Sequence, residues 1–488
     1  MTVDSEYKDN ASFREHISTP EAVCDSGESS QRGIPTEEET RIEGRIVRKV
    51  DLRLIPILAA VYTFALIDRT NIGAARISGI DEALNLDVGN RVSILILVFY
   101  VGYIIFELPS NIILKKVGPA KWLSLLALAW GVIVIGMGYV KTWEAFAVLR
   151  VFLGVLEAGL YPGCIYLISS WYKRYEVQKR IAVFFMTASF LSSLSNILAY
   201  GLIQIADNPS TNGWKWIFVV QGAITVGIAV VVYIVVVDFP DSKRNSFLTA
   251  EEKVIVRTRL DQERGTSEGE KVTWKVILDT AKDWQVWACS VMYLSASVGI
   301  YSFLIFLPVI LRAGLGFSLS LSFLLSAPPA AFSVVCALIV SWFADKYRVR
   351  GPFVFGEALV TIAGLGMIGF IEQPVPRYIG AFLGQAGSNA LVITSLAWGQ
   401  NNVRSDAKRS VTTAIQVMMA SIGGIYSALV FRQQDAPNYL PGIIATGAVM
   451  LLTAVLAPLM CLFYRRANVQ ADAGTRVIEG NANFRYTW

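Results

Sequence analysis

Twelve apolar segments divide this 488-residue chain, each of about 18 to 25 residues and so long enough to cross the hydrocarbon core of a bilayer as a helix. Their approximate limits are 54–75, 91–114, 120–140, 144–169, 180–205, 215–237, 285–311, 319–344, 351–372, 376–398, 411–431 and 440–464. Hydrophobic residues make up 54% of the chain and charged residues only 17%, against about 25% charged in soluble domains. Lipid is therefore the expected solvent, and the expected fold class is an all-α membrane protein of twelve transmembrane helices in two six-helix bundles.

The placement of Lys and Arg orients the spans. With a cytosolic N-terminus, the inner segments carry Arg41, Arg45, Arg48, Lys49 and Arg53, then Lys115, Lys116 and Lys121, then Lys173, Arg174, Lys179 and Arg180. The same side continues with Lys346, Arg348 and Arg350, with Arg404, Lys408 and Arg409, and with Arg465 and Arg466. Outer loops are sparsely basic, as the positive-inside rule requires, so both termini are expected in the cytosol. A missed helix would invert this alternation downstream.

Residues 1–50 read as a disordered cytosolic tail, 51–238 as the N-terminal bundle, 239–283 as a cytosolic central loop, 284–464 as the C-terminal bundle and 465–488 as a second tail. The first fifty residues contain no apolar run, which predicts no cleavable signal and leaves the first span to act as its own insertion signal. The central loop carries nine Lys and Arg residues. Within it, Thr249-Ala250-Glu251-Glu252 has capping-box spacing and predicts a surface helix ending near Arg264.

Enzyme chemistry finds little to work with. His16 is the only histidine and lies in the polar tail, which removes histidine acid–base pairs, His-based metal clusters and Ser-His-Asp triads. The five cysteines, Cys24, Cys164, Cys289, Cys336 and Cys461, form no C-x-x-C pair and read as small buried hydrophobes. Gly364-Leu365-Gly366-Met367-Ile368-Gly369 matches a dinucleotide pattern but lies inside an apolar helix with no preceding strand, so it reads as helix packing. No phosphate-binding G-x-x-x-x-G-K-[ST] occurs. The chain is expected to be no enzyme, to hold no cofactor or metal, and to bind no nucleic acid.

Charges inside the spans carry the functional reading. An ionised residue at the centre of a membrane helix costs about 2.5 to 3.5 kcal/mol, so such residues tend to be paired and functional. Arg69 and Arg150 are the bases picked out at this depth, and Asp68, Glu107 and Glu157 the acids. At a rise of about 1.5 Å per residue, Asp68 and Arg69 lie roughly 10 Å below the outer end of span one, with Arg150 at a similar level in span four. Glu157 follows Arg150 by two helical turns and shares its face. Arg69 presents a planar, permanently charged fork suited to a carboxylate, which makes it the expected substrate anchor. Asp68 and Glu157 are the expected proton-coupling acids, since an acid that titrates in only one conformation ties proton flow to substrate flow. Arg150 and Glu107 are read as ion-pair or gating residues. Tyr100, Tyr103, Ser192, Ser193, Asn196, Tyr293, Tyr301, Gln385, Ser388 and Asn389 supply neutral polar groups, each equally suited to substrate contact or to interhelical bonding.

The run Asp51-Leu52-Arg53-Leu54-Ile55-Pro56 leading to Asp68-Arg69-Thr70-Asn71-Ile72-Gly73 resembles the start of fungal anion:cation symporters of the major facilitator superfamily. Tyr103, Glu107-Leu108-Pro109-Ser110-Asn111, Arg150 with Gly154, Glu157, Pro162 and Gly163, and Trp171-Tyr172 extend the match. So do Gly213-Trp214-Lys215-Trp216-Ile217-Phe218, Trp398 and Asn401-Asn402, so that the resemblance spans roughly residues 45–465. The family resembles the allantoate, nicotinate, pantothenate and biotin permeases of fungi, and Val88-Gly89-Asn90-Arg91 and the segment 174–180 are most similar to its nicotinate-type group. The resemblance implies the major facilitator fold, a carboxylate-binding role for Arg69, proton coupling by Asp68 and Glu157, and substrate contact by Tyr103. Asn196 and Asn389 complete the expected substrate-binding set. The expected activity is proton-coupled uptake of a small organic anion by a monomer in the plasma membrane. An exporter of an acidic metabolite and a nutrient sensor that does not transport are the alternatives.

Overall fold

The computed structural model describes residues 37–172, 174–240, 242, 247–265, 273–436, 438–481 and 484–488. The chain divides into a unit of residues 1–45 and a unit of residues 46–488. In the first half the helices are α1 (Glu37–Arg76), α2 (Ile80–Ala83), α3 (Arg91–Val117), α4 (Pro119–Met137), α5 (Trp143–Glu157), α6 (Leu160–Trp171), α7 (Arg174–Ser193), α8 (Ser195–Ile203) and α9 (Pro209–Val235). The connector holds α10 (Ala250–Gly265) and α11 (Trp274–Lys282). The second half comprises α12 (Trp284–Val309), α13 (Leu319–Tyr347), α14 (Gly351–Phe370), α15 (Pro374–Asn401), α16 (Asp406–Val430) and α17 (Leu440–Asp472).

Among the described residues, eleven helical stretches are long and apolar enough to cross a membrane, and α3, bent by 51° between Glu107 and Pro109, supplies a twelfth. The expected spans and the observed helices coincide in order and number. α5 and α6 together make one span, as do α7 and α8. Each of these two spans is broken for a local reason. Pro162 has no N–H to give the carbonyl of Ala158, and its ring crowds that carbonyl, so α5 stops at Glu157 and α6 starts at Leu160. At the other break, the hydroxyls of Ser192 and Ser193 donate to the carbonyls of Ser189 and Phe190, a competing bond that bends helices.

Two boundaries differ from the sequence expectation. Residues 37–50, assigned to a disordered tail, belong to α1, because the charged helix formers there, Arg41, Arg45 and Arg48, extend the first span into a longer helix. Residues 1–36, with Asn10, His16 and Cys24, lie outside the described residues. At the other end α17 runs past 464 to Asp472, and the final residues fold back onto the bundle, where Tyr486 is buried. The predicted surface helix of the connector is present as α10, and its capping box closes reciprocally: Glu252 N–H donates to Thr249 Oγ1 at 3.2 Å, and Thr249 N–H donates to the Glu252 carboxylate at 3.0 Å.

Close helix packing uses glycine where a side chain would collide. A Cβ on Gly154 of α5 would lie 2.1 Å from the carbonyl oxygen of Phe99 in α3, and one on Gly364 of α14 would lie 2.3 Å from the backbone of Gly384 in α15. Gly364 is therefore a close-packing position, as its apolar context indicated, whereas a Cβ on Gly366 would meet open space. Within the first half α3 packs on α5 and α4 on α9, while in the second α14 packs on both α15 and α17, and α12 on α15 and α16. The halves meet through α3 against α16 and through α7 and α8 against α13.

Candidate functional site

A cavity of ≈ 130 Å³ lies between the halves. Its first wall comes from α1, where Tyr62, Leu66, Arg69 and Thr70 fall on one helical face, as their spacing of three and four residues requires. Tyr103 of α3, Tyr161 of α6 and Phe185, Ser189, Ser192 and Ser193 of α7 complete that side. The opposite wall is formed by Tyr293, Ser297 and Tyr301 of α12, Ala330 and Val334 of α13, Gln385 and Asn389 of α15, and Ala420 and Ser421 of α16. Beyond Thr70 and Tyr301 the halves are in contact. A Cβ on Gly73 would stand 2.3 Å from the carbonyl oxygen of Ile305, Arg76 donates to the Tyr439 hydroxyl at 3.2 Å, and the rings of Tyr200 and Phe323 lie 6.2 Å apart. The cavity thus lies below a closed end, the one at which α1 finishes.

Arg69 is the cationic centre of the cavity. Its Nε donates to Glu157 Oε2 at 2.9 Å, with side-chain exposures of 8% and 0%. The guanidinium lies 4.7 Å from the centroid of Tyr103 and 5.7 Å from that of Phe99, a cation–π arrangement strengthened by desolvation. Arg69 Nη2 and Glu157 Oε1 are buried without hydrogen-bond partners. An unpaired buried donor costs about 1 to 3 kcal/mol, so the fork of Arg69 is held in place at Nε and left with unspent capacity at Nη2. The position of Glu157 follows from the break in its span, since it is the last residue of α5.

Asp68 neighbours Arg69 in sequence and faces elsewhere, because successive residues of a helix point about 100° apart. Its carboxylate accepts from Asn71 Nδ2 at 3.0 Å and from Trp130 Nε1 of α4 at 3.2 Å. Asp68 is 1% exposed and does not line the cavity. Arg150 donates through Nη1 to the backbone carbonyl of Asp68 at 3.3 Å, and its Nε and Nη2 are buried without partners. Asp68, Arg69 and Arg150 do converge at one level, as helix rise indicated, yet Arg150 touches the Asp68 backbone rather than its acid. Glu107 sits half-buried at the bend of α3, and its carbonyl accepts from Asn111 Nδ2. It is not a lining residue.

Among the neutral candidates, Tyr103, Ser192, Ser193, Tyr293, Tyr301, Gln385 and Asn389 line the cavity. Asn389 donates to Ser333 Oγ at 2.6 Å, and Gln385 Oε1 is buried without a partner. Asn196 does not line the cavity; it lies in the first turn of α8, past the break at Leu194. Tyr100 packs edge-on against Tyr301 at 5.4 Å across the halves, and Ser388 is buried with its hydroxyl donating to Gly384; both serve helix contact.

Sequence reasoning passed over Tyr62 and Tyr161, whose rings stack at 5.1 Å beside the cavity. Tyr62 precedes Arg69 by two turns on the same face, a spacing that points to it. It also passed over Glu357, an acid within the span of α14 that is 6% exposed. Thr394 donates to Glu357 Oε1 at 2.8 Å, and Oε2 is buried without a partner.

Comparison with known proteins agrees with this architecture. The family model described as Major Facilitator Superfamily matches residues 58–428. The chain is 30% identical to the "Uncharacterized transporter C1039.04" of Schizosaccharomyces pombe, over 92% of this chain and 90% of that protein. It is 26% identical to the "High-affinity nicotinic acid transporter" of Saccharomyces cerevisiae, over 90% of this chain and 81% of that one. Among solved structures, the partially occluded inward open xylose transporter XylE from E. coli superposes with a TM-score of 0.65 at 13% identity, covering 85% of this chain and 99% of that one. With a two-halved helical bundle around a central cavity and a family match over most of its length, the chain belongs to the major facilitator superfamily and is a multi-pass membrane transporter of a small molecule.

Proposed function

We propose that this transporter carries a small organic carboxylate, of the nicotinate or allantoate and vitamin type, into the cell together with protons by alternating access. The observation that carries the reading is Arg69: a buried guanidinium lining the central cavity, fixed at Nε by Glu157 and left without a partner at Nη2. A carboxylate arriving in the cavity satisfies that free edge with the paired geometry arginine favours. The rings of Tyr62, Tyr103, Tyr161, Phe185, Tyr293 and Tyr301 surround it, which suits a flat apolar body, and Gln385 and Asn389 offer amides to its far end.

The Arg69–Glu157 pair also supplies a route to coupling. A substrate carboxylate and the Glu157 carboxylate compete for one guanidinium, and protonation of Glu157 releases Arg69 to the substrate. Binding and proton uptake are then linked through a shared partner. Asp68 acts in this scheme from behind the cavity, through the Trp130, Asn71 and Arg150 cluster. The reading places the chain in the anion:cation symporter branch of the superfamily, as a monomer in the plasma membrane with both termini in the cytosol, so that the closed end of the cavity faces outward. The similarity to a nicotinic acid transporter supports the carboxylate. The test is uptake of labelled nicotinate, allantoate, pantothenate and biotin by a strain lacking its own carriers, across external pH. One of these acids is expected to accumulate faster as pH falls. Transport confined to cations or neutral sugars rejects the reading, and accumulation outside rather than inside converts it to an exporter.

A further inference from the structure

The last residues of the chain are not a loose tail. Asn468 of α17 clasps the backbone of Tyr486 in both directions, donating from Nδ2 to its carbonyl at 2.9 Å and accepting its N–H on Oδ1 at 2.9 Å. Asn402, just past the end of α15, does the same to Thr487, at 3.0 and 2.7 Å. Trp398 Nε1 donates to the Thr487 carbonyl at 2.8 Å, and Arg350 N–H, at the start of α14, donates to the Trp488 carbonyl at 3.1 Å. The Tyr486 ring packs on Tyr464 at 4.6 Å, and the Arg465 guanidinium lies 3.6 Å from the Trp488 centroid. Lys408, in the first turn of α16, donates to Glu479 at 2.6 Å.

Main-chain hydrogen bonds from fixed side chains, with alternate rings seated in pockets, are the way a groove binds an extended peptide. With Gln285 of α12 donating to the Tyr486 hydroxyl at 3.4 Å, this groove is formed by the ends of five spans and is filled by the chain itself. Two of those spans, α15 and α16, carry Gln385, Asn389 and Ser421 of the cavity wall, and the turn joining them is pinned by Asn402 and Lys408. That turn lies at the end opposite to the Tyr200–Phe323 contact.

We propose that residues 484–488 are a latch, docked in cis in this groove, which positions the α15–α16 turn and favours the conformation that is closed at the Tyr200 end. Asn402 and Asn468 are its positioning residues; they touch no substrate. Undocking frees the turn and shifts the population toward the alternative conformation.

The full chain in liposomes, with native cysteines replaced by serine and carrying Y200C and F323C, reports the closed end through the yield of a short bismaleimide cross-link. Deleting residues 484–488 is expected to lower that yield by roughly threefold or more, a shift of the two-state population. A synthetic peptide of residues 481–488 added in trans is expected to restore it. Should the deletion fail to fold, the N402A/N468A pair gives the same readout with the chain length kept. A properly folded deletion or double variant whose yield equals that of the parent overturns the proposal, as does a peptide that neither binds nor restores the yield. The measurement needs no substrate, so its outcome is separate from the carboxylate reading.

Discussion

On one side of the cavity Arg69 and Glu157 face each other at 2.9 Å, with Tyr103 under the guanidinium. On the other, Ser297, Gln385, Asn389 and Ser421 stand among apolar neighbours, and none of the described lining residues of that half is charged. The two bundles share an architecture, yet one half supplies a desolvated ion pair and the other supplies neutral dipoles. A charge buried in a membrane protein is held only where a partner or a ligand compensates it. On the carboxylate reading proposed above, the first half would take the charge of the substrate, and the second the shape and polar pattern of the uncharged remainder.

Substitutions in the first wall should break this division most severely. Arg69→Gln leaves Glu157 buried without its cation, a loss of about 3 to 5 kcal/mol for a pair of this kind, and uptake should fall on the order of 100-fold or more. Arg69→Lys, which keeps the charge and loses the fork, should recover part of it. Wild-type uptake from either variant in a vesicle assay sinks the anchor assignment. Glu157→Gln keeps a hydrogen-bonding partner for Arg69 and removes the titrating group. Counterflow exchange should survive while accumulation against a gradient and the dependence of uptake on external pH disappear.

In the second wall the effect should be smaller and of another kind. Gln385→Leu removes a dipole without disturbing a charge, so KM should rise about tenfold with the maximal rate close to the parent. A fall in the maximal rate with KM unchanged shows instead that α15 takes part in the conformational step. Gly154→Ala tests the packing behind the first wall: a methyl group 2.1 Å from the Phe99 carbonyl forces α3 and α5 apart and should destabilise the bundle by about 1 to 3 kcal/mol, read as a lower melting temperature in detergent. Asn196→Ala, outside the cavity, should change uptake less than about twofold. A larger loss returns that residue to the site.

Much of the site was legible along the chain because lipid makes charge conspicuous. Arg69, Glu157 and Arg150 stand out in apolar runs; helix rise placed Arg69 and Arg150 at one level with Asp68, and Glu157 two turns from Arg150 on the same face. Orientation around the helix was the weaker part. Asp68 and Arg69 are adjacent in sequence and lie on different faces, one against Trp130 and one in the cavity. Asn196 lies past the break at Leu194 and is not among the residues lining the cavity. Glu357 was overlooked beside the prominent charges of the first half, although its own segment is apolar enough to have exposed it.

By itself the sequence determined the twelve spans, their alternating basic loops, the capped helix of the connector and the few ionised residues that the membrane must accommodate. Each follows from hydropathy, local hydrogen bonding or charge, which are properties of short stretches of chain. Only the tertiary structure decided that Glu157 rather than Asp68 holds Arg69, that Tyr62 and Tyr161 line the cavity, and that the final residues dock on the ends of five spans. Those outcomes depend on which faces of distant helices meet, and the pairing is set by close contacts such as Gly154 on Phe99 and Gly73 on Ile305, between residues far apart in the chain.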